Sequence, residues 1–298
     1  MKGTSKLSCI FFALTISLLF LNTKSQNSEP RIVNGFNVTS INGFKHQVSV
    51  RYRPTDLYSY GDGHFCGGSL INNRTVLTAA HCFQDGNRYL SASNLVVTLG
   101  SLQRYIRDNN TLYITVSKLV MHKTFVSSTF QNDIALLILS QDVPSNHPTA
   151  QPILLPSRAP VAGRQCQISG WGRVKFNTGA EPAQLKAANL TINSRTQCNS
   201  RSSHNGNVLI GMFCAGPFTG QLIVDSCQGD SGGPLMCGNE LVGITSNGVG
   251  CAEPNYPGIY TDVHHYLQWI EKNDSKKVKL TYFVIIFTSV FTLIFNQI

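Results

Sequence analysis

Eight cysteines lie between Cys66 and Cys251, and they constrain the fold more than any other feature of the chain. A ninth, Cys9, sits in an apolar run over residues 7–21 that follows Lys2 and Lys6 and gives way to polar residues. That order of charge, apolar stretch and polar boundary is a secretory signal peptide, with cleavage expected near Ser25. Loss of residues 1–25 removes Cys9 and leaves an even set: Cys66, Cys82, Cys166, Cys198, Cys214, Cys227, Cys237 and Cys251. In an exported chain an even set predicts four disulfides, although spacing alone leaves roughly a hundred ways to pair them. Zinc binding is the competing use of cysteine, but no CxxC pair occurs, so no metal is expected.

The chain has 298 residues, of which 42% are hydrophobic and 13% charged, enough to bury a sizeable core. Short β-rich runs such as QVSVRYR, NLVVTLG, TLYITVSKLVM, IALLIL, QCQISGW and ELVGITS are bounded by Gly, Pro and Asn. They predict an all-β domain, barrel or sandwich. A helical period occurs only near the end, where Val263, Leu267 and Ile270 fall at i, i+4 and i+7, so one C-terminal helix is expected to close the domain. The net charge of +9 comes largely from the two ends; residues 32–273 hold 17 Lys and Arg against 13 Asp and Glu. So mild a balance gives no case for nucleic acid. Asn37, Asn73, Asn109, Asn189 and Asn273 each open an N-x-S/T sequon, as suits an extracellular surface.

Three strings carry chemistry. In DSCQGDSGGPLMC, residues 225–237, glycines crowd around Ser231 and leave its backbone free to take tight conformations. A serine hydroxyl is a poor nucleophile until a general base stands within hydrogen-bond reach, and that base needs an orienting carboxylate. His81 in VLTAAHC and Asp133 in NDIALLIL supply those residue types. Taken singly, such a histidine is more often a packed core residue and such an aspartate a capping residue.

Together TAAHC, NDIALL and GDSGGP, in the order His, Asp, Ser, resemble the chymotrypsin–trypsin family of serine peptidases. The resemblance runs from Ile32 to about Asn273. It implies two packed six-stranded antiparallel β-barrels with a C-terminal helix and a cleft between the barrels. It implies Ser231 as nucleophile, His81 as general base and then acid, and Asp133 as the orienting carboxylate. Gly229 and Ser231 would present backbone N–H groups to the oxyanion. Asp225 would form the base of the primary pocket and pair with an Arg or Lys side chain of the substrate, with Gly248 and Gly258 lining the way. Ser246 would bond to the triad aspartate. RIVNG at residues 31–35 resembles an activation junction: cleavage after Arg31 would free an ammonium on Ile32 that pairs with Asp230. The family also selects the pairings Cys66–Cys82, Cys166–Cys237, Cys198–Cys214 and Cys227–Cys251.

The chain departs from the family in three places. Asn247 stands where a tryptophan is usual, so subsite preference should differ; Phe130 is expected to border the next subsite. The segments RYRPTDLYSYGDGHF and FQDGNRYLSASN are long and should flank the cleft. Ser101 replaces an acidic calcium ligand, so no calcium site of the trypsin type is expected. Residues 280–295 form an uncharged apolar tail, just under the usual ~17–25 residues of a span, with Lys276, Lys277 and Lys279 before it. A tail exchanged for a glycolipid suits it better than a spanning helix, although the polar spacer is short.

The expected organisation is therefore a signal peptide (1–25), a short activation peptide (26–31), a peptidase domain (32–273) and a C-terminal anchor signal or transmembrane tail (274–298). The expected protein is an extracellular endopeptidase, secreted or surface-anchored, that is made as a zymogen and cleaves after Arg or Lys. It needs no cofactor, acts on protein or peptide substrates, and is open to protein inhibitors. The alternative is a catalytically silent homologue acting as a binding module.

Overall fold

The computed structural model describes residues 35–86, 88–173, 181–218 and 225–274. The predicted signal and activation peptides, with Arg31 and Ile32, and the apolar tail lie outside the described residues. Among those described, no helix is long and apolar enough to cross a membrane.

Six antiparallel strands close into a barrel: β1 (Gln47–Tyr52), β2 (His64–Asn72), β3 (Thr75–Thr78), β4 (Leu95–Leu99), β5 (Leu112–Met121) and β6 (Ala135–Leu139). Around the barrel they run β1-β2-β3-β6-β5-β4, with β4 returning to β1. The period of two explains the sorting of side chains. In β6, Ala135, Leu137 and Leu139 fill the barrel, whereas Leu136 and Ile138 point the other way. Val48, Val50, Leu70, Val76 and Ile114 complete that core. Truncating one such side chain, as in Leu137→Ala, should cost about 2–5 kcal/mol.

A second sheet is built from β7 (Gln165–Gly170), β8 (Lys186–Thr191), β9 (Met212–Ala215), β10 (Pro234–Cys237), β11 (Glu240–Asn247) and β12 (Gly258–Asp262). Its order is β8-β7-β10-β11-β12-β9, and the two-residue strand Phe36–Asn37 adds to β8 as a seventh member. The expected second barrel is thus closed less regularly than the first. One bridge, Ile192 to Ala215, joins its ends in place of a ladder.

The outward residues of β6 meet Met236, Leu241 and Ile244 of the second sheet, together with Val263, Tyr266 and Ile270. This shared layer fixes one sheet against the other and brings the loops that carry the chemistry together. The C-terminal helix spans Leu267–Asn273. Val263 precedes it, so the expected helical triple holds only for Leu267 and Ile270; Val263 is buried from a turn instead. RYRPTDLYSYGDGHF is not loop throughout. Arg53–Tyr58 is a short helix with a proline in its first turn, where the missing N–H is not needed. In the second long segment Gln84–Asp85 pairs with Arg88–Tyr89. The four disulfides are those the family resemblance implied.

Candidate active site

His81 opens a single 3-10 turn, His81–Phe83, shortly after β3, and the Cys66–Cys82 disulfide ties that turn back to β2. Asp133 lies just before β6 and is wholly buried. Its carboxylate accepts bonds from the His81 main-chain N–H (2.8 Å), the His81 Nδ1 (2.8 Å) and the Ser246 hydroxyl (2.6 Å). Its main-chain carbonyl takes the Thr261 hydroxyl at 2.8 Å. Because the carboxylate can only accept, His81 Nδ1 carries the proton and Nε2 is left as the basic atom. Phe130 packs edge-on against the His81 ring, with centroids 5.4 Å apart. Its φ of 55° is uncommon for a bulky residue.

Ser231 sits on a backbone gripped from both sheets. Gly67 N–H of β2 donates to the Ser231 carbonyl at 2.7 Å, and Gly232 N–H donates to the Thr245 carbonyl of β11 at 2.8 Å. The glycines are forced by contact as well as by turn geometry. A Cβ on Gly232, at φ +76°, would fall 2.2 Å from Thr78 Oγ1, and Gly229 holds φ +98°. His81 and Ser231 form no hydrogen bond among the described residues. Such bonds are often loose before substrate arrives and tighten in the reacting complex.

Ser231, Ser246, Asn247, Gly248 and Gly258 line a cavity of about 150 Å³ that also reaches Asp225. Asp225 is 6% exposed. Its oxygens accept the main-chain N–H groups of Ser226 (2.8 Å) and Ala252 (2.9 Å). Burial nevertheless raises its pKa to about 6. A Cβ on Gly258 would press to 3.0 Å from the carboxylate, whereas one on Gly248 would meet nothing nearer than 4.0 Å and would take up cavity space. The Cys227–Cys251 disulfide braces this wall. Asn247 donates from its amide to the Ser246 hydroxyl at 3.3 Å.

Asp230 is the second buried acid of this segment, at 3% exposure. Gly172 N–H (2.8 Å) and Cys227 N–H (3.0 Å) bond to its two oxygens, yet burial lifts its pKa to about 7. No cation pairs with it among the described residues. Gly170 and Gly172, which sequence reasoning passed over, wall this carboxyl. A Cβ on Gly170 would fall 2.1 Å from Oδ1, and one on Gly172 would fall 2.4 Å from the carboxyl carbon. The repeated glycine in GWG, residues 170–172, was the available signal. Ser226, Gln228 and Thr245 also line the cavity and were not foreseen.

Among the described residues, one group has the composition of a metal site, Cys66, His81 and Cys82, but both sulfurs are consumed in the disulfide. What the arrangement can do is activate a hydroxyl, stabilise an anion beside it and receive a long cation.

Comparisons with known proteins agree with this chemistry. The family model described as Trypsin matches residues 32–270. "Trypsin" of Sus scrofa is 36% identical over 246 residues, covering 83% of this chain and 96% of that protein. "Serine protease 1" of Homo sapiens is 35% identical over 245 residues, covering 82% and 90%. "Trypsin-2" of Salmo salar is 37% identical over 242 residues, covering 81% and 94%.

Proposed function

The chain belongs to the trypsin family and is a serine endopeptidase, and from that premise we propose that it cleaves after Arg or Lys once its own chain has been cut after Arg31. Ser231 Oγ attacks the scissile carbonyl while His81 Nε2 takes its proton. Asp133 holds the imidazole and balances its charge. The oxyanion rests on the N–H groups of Gly229 and Ser231. Collapse expels the amine with the proton from His81, and water then releases the acyl group by the same route in reverse.

The observation that supports this most is the position of Asp225. A buried carboxylate lies in the wall of the cavity that Ser231 borders, held by two backbone N–H groups and without a cation among the described residues. A substrate guanidinium or ammonium supplies that charge away from water. The zymogen reading is supported by Asp230, whose carboxyl is held by two backbone N–H groups and meets no cation among the described residues. The Ile32 ammonium freed by cleavage would pair with it and fix the loop that carries Gly229. Secretion is inferred from the N-terminal run and the disulfides. Attachment through a glycolipid is inferred from the tail sequence, and release of active enzyme from cells by phospholipase C would test it.

The test of the catalytic reading is labelling by a fluorophosphonate after cleavage at Arg31, with turnover of matched Arg and Phe substrates. Ser231 should be labelled and Arg strongly preferred. An unlabelled serine in correctly cleaved protein would favour the silent binding module instead.

A further inference from the structure

Among the described residues Arg51 is the largest side chain buried to within 2% exposure, and the chemistry described so far makes no use of it. Each of its three guanidinium nitrogens donates a hydrogen bond. Nε donates to Ser49 Oγ at 2.9 Å, Nη1 to Asp56 Oδ1 at 3.2 Å, and Nη2 to the Arg104 carbonyl at 2.8 Å. The group also lies 4.6 Å over the Tyr60 ring. Asp56 belongs to the helix Arg53–Tyr58 in one of the two long segments, and its Oδ1 accepts the Gly61 N–H at 2.8 Å.

From Ser49 the contacts continue inward. Ser49 Oγ lies 2.8 Å from His64 Nδ1, and His64 Nε2 lies 3.1 Å from the Gly229 carbonyl. The direction of every bond is determined. A carbonyl can only accept, so His64 carries its proton on Nε2, and Nδ1 accepts from the Ser49 hydroxyl. That leaves the Ser49 oxygen to accept from Arg51, which can only donate. Burial, with Arg104 and Arg51 nearby, holds the His64 pKa down to about 3, so the ring stays neutral with this one arrangement. The chain ends on the residue whose N–H faces the oxyanion. Gly229 has few torsional preferences of its own, so its conformation needs an external hold.

We propose that Arg51, anchored by Asp56, is a positioning residue for the oxyanion hole, acting through Ser49 and His64 to hold the Gly229 peptide in register. The inference rests on the assignment of Gly229 above. It makes the inserted segment 53–63 part of the catalytic scaffold as well as a rim of the molecule.

The test uses cleaved enzyme in three forms: parent, Ser49→Ala, and Arg51→Met with Asp56→Asn. The double change removes both charges, so no lone buried ion remains. Two inhibitors separate the contributions. Benzamidine reads the Asp225 pocket alone. A peptidyl-arginine aldehyde also reads the oxyanion hole, because Ser231 Oγ adds to its carbon, the serine proton passes to His81, and the aldehyde oxygen becomes the oxyanion. Both variants should lose kcat by about ten- to a hundredfold, the scale of a small misplacement. KM and benzamidine affinity should stay within about twofold while aldehyde affinity falls in step with kcat. A kcat within about twofold of parent in Ser49→Ala would overturn the proposal, as would equal losses of both inhibitors. Should the double variant fail to fold, Ser49→Ala alone decides. A parent without peptidase activity would instead sink the underlying site assignment.

Discussion

Two regions of the molecule bury carboxylates in opposite ways. On the first barrel, Asp133 is met by two donors of His81 and by the Ser246 hydroxyl, and Asp56 is met by Arg51. On the second sheet, backbone N–H groups hold the oxygens of Asp225 and Asp230, no cation pairs with either among the described residues, and burial raises both pKa values. Burying a charge is costly unless it is paired. In the first region each carboxylate therefore has a side-chain donor within the described fold, although Asp56 Oδ2 is left without a partner there. The second has no cation among the described residues, and in the function proposed above one comes from outside: a substrate side chain for Asp225 and a new chain terminus for Asp230. Catalytic orientation must exist before substrate arrives, whereas specificity and activation must respond to something that arrives.

The largest effect should come from damaging the region whose carboxylates have side-chain donors. Asp133→Asn should lower kcat by about 10⁴-fold, the size of the corresponding change in a Ser-His-Asp peptidase of this family. Substrate KM should change little, and steady-state kinetics on a small Arg ester would show it. A fall below tenfold would mean that the His81 orientation has another source.

Next come the incomplete sites. Asp225→Ser should cost about 3–5 kcal/mol in kcat/KM toward Arg substrates, since their cation then enters without a partner. A Phe substrate should be nearly indifferent, so an unchanged Arg-to-Phe ratio would remove Asp225 from specificity. Arg31→Gln should leave an uncleaved protein weaker by a similar amount on the same substrate. Turnover equal to that of the cleaved parent would remove Asp230 from activation.

A smaller effect follows from pH. A proton competes with any cation for Asp225, so benzamidine affinity should fall about tenfold per unit below pH 6. The sign for stability is opposite to that of a salt-bridged acid. The folded carboxyls of the uncleaved protein hold protons that the unfolded ones release, so each costs stability as pH rises from about 4 to its folded pKa. Cleavage that pairs Asp230 should relieve its share, so the cleaved form should gain in Tm over the uncleaved form as pH rises from about 4 to about 7, with no further gain above that.

Much of the site was legible because its chemistry sits in short strings. TAAHC, NDIALL and the glycine-rich run name His81, Asp133, Asp225, Asp230 and Ser231 without help from folding. Strongly alternating or apolar runs such as IALLIL were legible for the same local reason, and they appear as strands. What was not legible depends on contact between distant segments. KAANLT, β8, reads poorly as a strand and is one because β7 pairs along its whole length. Gly170 and Gly172 matter because Asp230, some sixty residues on, lies against them. Ser49, Arg51, Asp56 and His64 form a connected set only after β1, β2 and the helix Arg53–Tyr58 have packed. The irregular closure of the second sheet likewise follows from which strand ends meet, which no local pattern encodes.

Among the described residues, Asp225 and Asp230 are buried without a cation, and the proposed function has one supplied to each. Carbon-13 NMR of carboxyl-labelled aspartate in the Arg31→Gln protein tests it most directly, with Asp225→Asn and Asp230→Asn used to assign the signals. Midpoints near pH 6 for Asp225 and near pH 7 for Asp230 are expected, and saturating benzamidine should lower the first while leaving the second in place. Midpoints for both near the ordinary aspartate value of about 4 in the unliganded, uncleaved protein would contradict the account.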